Sequence, residues 1–281
     1  LAFHVNESPL ALQLGGSDPK LLAKYSQLAE KMGYAEVNLN VGCPSTKVQN
    51  GGIGACLFKT PKIVARCVAA MQKHVNIPIT VKTRLGVDDF DQWSHLQDFI
   101  ETVADTGCET FIIHARKAWL KGLNPRQNRS KPPLDYEKVQ RLVDCYPKLN
   151  FVLNGGLQSS ADFFNYSPQF HGLMFGRAAI NYPFMLQEIE QAQAKQQGIP
   201  FQAKSRAEIL QQYIDYLIPF LTQGESLCRM LKPIIPLAHG LLAAKSWRQQ
   251  LLQPQSSQLQ SLIQHFQVCQ RQLETMEHSS S

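Results

Sequence analysis

The chain has 281 residues, of which 44% are hydrophobic and 18% are charged, and its formal net charge is +6 at pH 7. This composition excludes a mainly disordered chain, and the length suits one large domain or a large and a small one. The mild basic excess is compatible with a polyanionic partner without being diagnostic of one.

The seven cysteines form no C-x-x-C pair. Their odd number and their spacing argue against a disulfide framework or a zinc site, and they fit reduced thiols in a cytoplasmic enzyme. No apolar run approaches the roughly 20 residues that a membrane helix needs, and no signal peptide opens the chain. We therefore predict a cytoplasmic protein that binds neither membrane nor metal.

Short apolar runs alternate with helical stretches over the first two thirds of the chain. Ser17 or Asp18 is predicted to cap the first helix, which has Pro19 at its first position and Gly33 after its end. The predicted strands are residues 9–14, 36–41, 79–84, 110–114, 151–154 and 172–175. The predicted helices are residues 19–32, 61–74, 93–106, 136–146 and a short one that begins near residues 159–161.

Near-continuous apolar strands separated by helices indicate a parallel sheet covered by helices. Polar residues or glycines follow nearly every predicted strand, which is typical of a TIM (β/α)8-type barrel with its active site at the carboxyl ends of the strands. A doubly wound sheet usually has one dominant phosphate loop instead. Six strands are counted where a closed barrel needs eight, so we expect a barrel that lacks its first two βα units. These units would precede Leu10, and the first residue is Leu1 rather than Met.

After Phe184 the pattern becomes helical only. We predict the barrel in residues 1–190, a Gln-rich connector in 191–205, a helical domain in 206–275 and a disordered tail in 276–281. Within the helical domain, residues 206–221 and 227–247 are predicted helices, and Pro233 and Pro236 interrupt the second one.

Cys43 lies where a strand stops and immediately before Pro44, which favours extended geometry at the cysteine. Taken alone, a cysteine is more often a small buried hydrophobe than a catalyst. The polar residues at the other strand ends share its location, and this coincidence favours a functional site. The strand-end residues are Gln13, Asn40, Cys43, Lys82, Arg84, His114, Arg116, Asn154, Gly176 and Arg177.

Two glycine-containing loops follow the last two predicted strands, at Asn154-Gly155-Gly156 and at Gly176-Arg177. Loops in this position commonly hold a phosphate through backbone N–H groups, and Arg177 would add a charge-assisted bond. The segment Gly51–Gly54 lacks the strand–turn–helix context of a dinucleotide fingerprint, so we predict a flexible loop there.

Residues 116–131, here called the basic loop, contain six cationic residues and no acidic one. A long basic loop beside the barrel mouth favours contact with a phosphate backbone over a merely solvated loop. A second basic surface is possible around Arg229, Lys232, Lys245 and Arg248, where Trp247 is equally compatible with a core position.

Six segments together resemble the tRNA-dihydrouridine synthases, and within them the A type, which reduces D-loop uridines around position 20. They are NLNVGCP at 38–44, VKTR at 81–84, IHARKAWLKGLNP at 113–125, NRSKPPLDY at 128–136, NGG at 154–156 and GRAAINYP at 176–183. The resemblance is close over residues 8–190 and looser over 237–251. Two departures are the lack of the family's first-strand Ala-Pro-Met segment and the prolines at 233 and 236.

The resemblance implies an FMN-dependent reduction of tRNA uridine to 5,6-dihydrouridine, with NADPH as the electron donor. Hydride would reach C6 from the flavin N5, and Cys43 would give the proton to C5. By the same resemblance, the FMN-binding residues are Gln13, Lys82, His114, Asn154, Gly155, Gly156, Gly176 and Arg177. The residues in contact with tRNA are Asn40, Arg126, Arg129 and Lys245, the last where the family usually has arginine.

Two other functions stay open at this point. One is an FMN barrel oxidoreductase acting on a free pyrimidine, against which the basic loop and the helical domain argue. The other is a catalytically inactive RNA-binding protein, which the absent barrel strands would favour. Activity on tRNA compared with free uridine tests the first alternative, and a flavin spectrum tests the second.

Overall fold

The computed structural model describes residues 3, 7–254 and 259–279. The chain forms two compact units. The barrel unit comprises Leu1–Leu157 and Asp162–Phe175, and the helical unit comprises Gln158–Ala161 and Gly176–Ser281. The division of functions at residue 190 stays a prediction.

The barrel unit is built on one curled sheet of six strands, and every neighbouring pair within it is parallel. The strand order follows the chain, as in a half-barrel of the TIM type. The predicted fold class is therefore confirmed, with strand ends within two residues of those expected. The strands are β1 Ala11–Leu14, β2 Glu36–Asn40, β3 Ile79–Arg84, β4 Thr110–His114, β5 Asn150–Asn154 and β6 Gly172–Met174.

Helices join the strands and cover the outer face of the sheet. They are α1 Pro19–Lys31, α2 Thr46–Asn50, α3 Pro61–Gln72, α4 Trp93–Ala104, α5 Tyr136–Cys145 and α6 Ser160–Tyr166. Short 3-10 helices occupy Gly54–Lys59 and Gln127–Arg129. Of the two predicted caps of α1, Asp18 is the one used, since its carboxylate accepts the Lys20 and Leu21 N–H groups.

Side-chain alternation along the strands separates the core from the site. On β2 and β3, Val37, Leu39 and Val81 are fully buried, and they belong to one hydrophobic cluster with the apolar faces of α3 and α4. The residues between them, including Asn38, Asn40 and Lys82, point to the opposite, inner face. The fold therefore places the apolar residues under the helices and leaves the polar ones on the inner face of the sheet.

The prediction of a flexible loop at Gly51–Gly54 is wrong. Gly51 caps α2, and Gly54 begins a 3-10 helix with φ at +72°. A Cβ on Gly54 would lie 2.4 Å from Val48 Cγ1 and 2.7 Å from the Cys43 carbonyl oxygen. The glycine is therefore required by close packing against the Cys43 loop.

The helical unit contains α7 Arg177–Asn181, α8 Phe184–Gln197, α9 Arg206–Thr222, α10 Leu227–Leu231, a 3-10 helix Lys232–Ala238, α11 Ala244–Leu251 and α12 Leu259–His278. The predicted interruption by Pro233 and Pro236 is confirmed, since both prolines lie in the 3-10 helix that separates α10 from α11. Two other predictions about this region are wrong. Residues 191–197 of the predicted connector continue α8, since Ile189 and Ala194 are buried. Residues 276–278 of the predicted tail belong to α12, and residues 280–281 lie outside the described residues.

The core of the helical unit is formed mainly by α9, α11 and α12. Trp247 is 2% exposed, and its Nε1 donates to the Cys269 carbonyl oxygen at 2.8 Å. This tryptophan is a core residue, so it contributes no aromatic surface for nucleic acid. In the part of the chain that the structure describes, no helix is long and apolar enough to cross a membrane.

Candidate active site

Five predicted site residues lie at the carboxyl ends of successive strands in the barrel unit. Parallel pairing places Asn40 beside Lys82 and His114 beside Asn154. Since all the strands run in one direction, their carboxyl ends form one edge of the sheet. The residues that this edge brings together are Gln13, Asn40, Lys82, His114 and Asn154.

The main chain around Cys43 is fixed on two sides. Asn40 Oδ1 accepts the backbone N–H groups of Gly42 and Cys43, each at 3.0 Å. The Cys43 carbonyl oxygen accepts the N–H of Ala55 at 2.9 Å. The half-buried thiol lies 3.6 Å from Ser45 Oγ. Cys43 is thus held by the end of β2 and by the following 3-10 helix rather than by a loose loop.

Arg84 joins the Cys43 loop to the basic loop. Its Nε donates to the Gly42 carbonyl oxygen at 2.9 Å, and one Nη donates to the carbonyl oxygens of Lys117 and Asn128 at 3.2 and 3.0 Å. Burial lowers the pKa of the Arg84 guanidinium to about 10, so it stays cationic at neutral pH. Arg84 is therefore a buried cation between the predicted proton donor and the predicted tRNA-binding loop.

Lys82 and Asn154 form a second polar pair on the inner face. Lys82 Nζ donates to Asn154 Oδ1 at 2.8 Å, and Asn154 Nδ2 donates to the Met174 carbonyl oxygen at 2.7 Å. Burial and, to a smaller extent, the nearby Arg84 lower the pKa of the Lys82 ammonium to about 8. Among the described residues no carboxylate pairs with this lysine, so an anionic or electron-rich ligand would stabilise its charged form.

The double glycine after β5 packs too closely for any other residue. A Cβ on Gly155 would lie 3.1 Å from the His114 ring, and one on Gly156 would lie 2.6 Å from Tyr136 Oη. Both glycines have positive φ, at +103° and +80°. Tyr136 Oη also donates to the Gly155 carbonyl oxygen at 2.6 Å. This arrangement holds the His114 ring against the backbone of the predicted phosphate loop.

The basic loop is folded around Asn128, which is fully buried. Asn128 Oδ1 accepts the Trp119 N–H at 2.8 Å, and its Nδ2 donates to the carbonyl oxygens of Trp119 and Leu123 at 2.9 and 3.1 Å. Arg126 and Arg129, the predicted tRNA contacts, flank this anchor with exposed side chains. The loop therefore presents its cations from a fixed backbone.

Asp88 supports the same loop from the segment after β3. Its carboxylate accepts the Leu120 N–H at 2.9 Å and pairs with Lys59 Nζ at 2.8 Å. Asp88 has a φ of +50°, an uncommon conformation for a residue other than glycine. Lys117 Nζ lies 4.1 Å from the centre of the Trp119 ring and pairs with Asp91 at 2.6 Å.

The helical unit contains three further predicted site residues. Gly176 precedes α7 with a negative φ, and a Cβ there would meet no atom within 4 Å. Arg177 is the exposed first residue of α7, and Lys245 is exposed on α11. A joint phosphate site of the two glycine-containing loops stays a prediction.

All seven cysteines are free. Burial raises the pKa of the Cys67 and Cys269 thiols to about 11 and that of the Cys108 thiol to about 12, which makes these three poor nucleophiles and poor acids. Cys145 and Cys228 are exposed, the first at the end of α5 and the second on α10. Among the described residues, no group of three or more His, Cys, Asp or Glu side chains could hold a metal ion.

Sequence reasoning missed the supporting roles of three residues. Arg84 was recognised as a strand-end cation, but its bonds to two loops depend on contacts between distant segments. Asn128 and Tyr136 both lie in the segment NRSKPPLDY at 128–136, and the sequence alone assigns no role to either of them. Asn128 lies between Pro125 and Ser130, two residues that favour turns, and this is the signal that could have suggested an anchor at Asn128.

The donor set on the inner face fits the polar edge of a flavin ring. This edge alternates hydrogen-bond acceptors with one N–H donor, and the side chains of Gln13, Lys82, His114 and Asn154 supply both donors and acceptors. The glycines at 155 and 156 leave backbone close to the His114 ring, where a Cβ would fill the space. The barrel unit alone therefore offers a suitable environment for the ring.

Comparison with known proteins identifies close relatives. A family model described as "Dihydrouridine synthase (Dus)" matches residues 1–274. The proteins named tRNA-dihydrouridine(20/20a) synthase in Shewanella oneidensis, Vibrio cholerae and Synechocystis sp. are 46%, 44% and 43% identical to this chain. Each alignment covers 89% of this chain and 74%, 76% and 74% of the respective relative. The matched residues include both compact units.

Proposed function

The chain belongs to the dihydrouridine synthase family, and we propose that it reduces uridines 20 and 20a of tRNA to 5,6-dihydrouridine. One observation carries this proposal: Cys43 is fixed between β2 and a 3-10 helix, at the same sheet edge as Lys82 and Asn154. An acid, a buried cation and amides on one edge provide what the saturation of a polarised C=C bond requires.

FMN is the proposed cofactor, and NADPH is the proposed source of its electrons. When bound, reduced FMN supplies a hydride to C6 of the uracil ring. The residues proposed to hold it in the barrel unit are Gln13, Lys82, His114, Asn154, Gly155 and Gly156, and those in the helical unit are Gly176 and Arg177. The Lys82 ammonium would stabilise the negative charge of a reduced flavin ring, since it is buried and pairs with no carboxylate among the described residues.

Cys43 is the proposed proton donor. The S–H bond breaks as the C5–H bond of the uracil ring forms, and the thiolate then regains a proton from solvent. A positioned thiol can act as a general acid toward a carbon that gains a proton. The double anchoring of its main chain by Asn40 and Ala55 supports a fixed direction for the thiol.

The tRNA contacts are proposed at Asn40, Arg126, Arg129 and Lys245. Asn40 Oδ1 already accepts two backbone N–H groups, whereas only one Nδ2 hydrogen is used, by Gln13. Asn40 is therefore suited to donate to a carbonyl oxygen of the uracil base. A uridine must leave the folded tRNA to reach the site, at a cost of about 3 kcal/mol that the cationic contacts offset.

The replacement of Cys43 by alanine tests the proposal. We expect Cys43→Ala to retain FMN, measured by the flavin spectrum of the purified protein. Dihydrouridine formation should fall by about 100-fold or more, because a positioned acid typically contributes that much. The product is measured by mass spectrometry of nucleosides from an unmodified tRNA.

Cys56→Ala is the matched control, since Cys56 is also half-buried and lies in the adjacent 3-10 helix. It should keep the wild-type rate. Unchanged turnover in Cys43→Ala would contradict the assignment of Cys43 as the acid.

A further inference from the structure

A continuous chain of side-chain hydrogen bonds runs along the inner face of the sheet below Cys43. Asn40 Nδ2 donates to Gln13 Oε1 at 2.8 Å, and Gln13 Nε2 donates to Asn38 Oδ1 at 2.7 Å. Asn38 Nδ2 donates to Thr80 Oγ1 at 2.8 Å, and the Thr80 hydroxyl donates to Glu36 Oε1 at 2.5 Å. This set of five residues, here called the interior chain, connects the amino end of β2 to the Cys43 loop.

The interior chain has only one consistent direction. Asn40 Oδ1 accepts two backbone N–H groups, so Asn40 Nδ2 must face Gln13. Each following amide is then fixed in turn, because a reversed amide would place two donors or two acceptors against each other. The last group is the carboxylate of Glu36, which when ionised only accepts hydrogen bonds. Glu36 thus sets the polarity of the chain from its far end.

Burial makes the middle of this chain difficult to replace by water. Asn38 is 4% exposed and Thr80 is 2% exposed, whereas Gln13 is exposed. Polar groups with so little access to solvent are costly when they lose a partner. Loss of the Asn38 or Thr80 link would therefore remove the fixed partner of the Gln13 amide and, through it, of Asn40.

The three residues farthest from Cys43 do not form the apolar core. The core contacts of β2 and β3 come from Val37, Leu39 and Val81, whose side chains lie on the opposite face. Within the described part of the chain, the side chains of Asn38, Thr80 and Glu36 bond only to one another and to Gln13. Their chemistry serves the orientation of the site more than the packing of the sheet.

We propose that Glu36, Thr80 and Asn38 are positioning residues that orient the Asn40 carboxamide and, through it, the Cys43 loop. Their value for catalysis rests on the function proposed above. None of the three touches the substrate: they act through Gln13 and Asn40.

Two variants interrupt the interior chain, and one control leaves it intact. Asn38→Leu removes two links, and Thr80→Val removes the hydroxyl with little change of volume. Thr110→Val is the control, since Thr110 begins β4 at the amino end of the sheet and its hydroxyl accepts from Asn150 Nδ2 at 3.4 Å rather than from the interior chain. Thr80→Ser keeps the hydroxyl and should behave as the wild type. If Asn38→Leu fails to fold, Thr80→Val decides the test.

The first measurement needs neither flavin nor tRNA. Hydrogen exchange of the Gly42 and Cys43 backbone N–H groups reports their bonds to Asn40 Oδ1. We expect exchange at least about tenfold faster in Asn38→Leu and Thr80→Val, and within about twofold of wild type in Thr110→Val and Thr80→Ser. Wild-type exchange in Thr80→Val, or an equal increase in Thr110→Val, would overturn the proposal.

The second measurement separates positioning from binding. In single turnovers of the FMN-loaded, reduced enzyme with tRNA, Thr80→Val should lower the rate about tenfold while the Kd for tRNA changes less than about twofold. An unchanged rate would overturn the positioning role. If the wild type forms no dihydrouridine but the exchange pattern is as expected, the proposed function fails, while the interior chain still orients Asn40.

Discussion

At the scale of single residues, Asn40 links the backbone of the Cys43 loop to the inner face of the sheet. Its Oδ1 accepts the N–H groups of Gly42 and Cys43, and its Nδ2 donates to Gln13. Asparagine suits this position because its side chain can accept from the backbone two or three residues later. The predicted acid is therefore fixed relative to a strand end.

The buried ammonium of Lys82 predicts a pH-dependent contribution to stability. Burial lowers its pKa in the folded protein from 10.5 to about 8, so the charged form costs free energy of folding below about pH 8. This cost decreases as the pH rises toward 10.5, where the unfolded chain also loses the proton. The free energy of unfolding of the wild type should therefore rise by about 2 kcal/mol relative to that of Lys82→Met between about pH 7 and pH 9.5.

Urea unfolding of the two flavin-free proteins at both pH values measures this shift. The comparison of variant with wild type removes the titration of all other groups that the two proteins share. Lys131→Met is the control, because the side chain of Lys131 is exposed; its difference from wild type should stay constant. A difference for Lys82→Met that does not change with pH would show that burial does not penalise this ammonium.

At the scale of elements, the basic loop depends on one buried amide. Asn128 bonds to the backbone at Trp119 and Leu123, and its own carbonyl oxygen accepts from Arg84. These contacts close the loop on itself and attach it to β3. A loop with so many cations would otherwise be extended by charge repulsion.

We therefore expect Asn128→Ala to open the basic loop without unfolding the sheet. Each buried backbone group that loses its partner costs about 1–3 kcal/mol. Limited trypsin digestion should cleave within residues 116–131 at least about tenfold faster than in wild type. The affinity for tRNA should fall, and the FMN content should remain.

Asn124→Ala is the control for this experiment. Asn124 is exposed, and its side chain accepts the Gln127 N–H at 2.9 Å and makes no other hydrogen bond to the described residues. It should change the cleavage rate by less than about twofold. Equal cleavage of Asn128→Ala and wild type would show that the loop is held by other contacts.

Local sequence patterns were sufficient for the six strands of the barrel unit and for α1, α3, α4, α5 and α6, but they did not predict α2 or the two 3-10 helices. Period-two apolar runs with polar ends identify β2 and β3, and the Asp18-Pro19 pair identifies the start of α1, because these signals depend on neighbours in the chain. The strand-end position of Cys43, Lys82 and Asn154 follows from the same patterns.

The unpredicted features depend on contacts between distant segments. Gly54 is rigid because the Cys43 carbonyl and Val48 occupy the space around it, which no local glycine pattern reveals. Arg84 reaches carbonyl oxygens at positions 42, 117 and 128. Residues 191–197 look like a polar connector, yet Ile189 and Ala194 bury one side of α8. Tertiary packing decided each of these cases.

At the scale of the whole molecule, the proposed site residues are divided between two compact units. The barrel unit contains Cys43, which is the proposed proton donor, together with the proposed ring-binding residues and the basic loop. The helical unit contains Gly176, Arg177 and Lys245. The family match extends over both units. The central claim is therefore one about the entire chain, namely that it reduces a uridine held within a tRNA.

The most direct test compares tRNA with free uridine as substrates of the purified chain, supplied with FMN and NADPH. Nucleoside mass spectrometry measures dihydrouridine, and reverse-transcription mapping locates it in an unmodified tRNA. We predict a yellow protein that forms dihydrouridine at positions 20 and 20a and leaves free uridine unreduced. Equal reduction of free uridine, or a flavin-free protein that binds tRNA without forming dihydrouridine, would contradict the account.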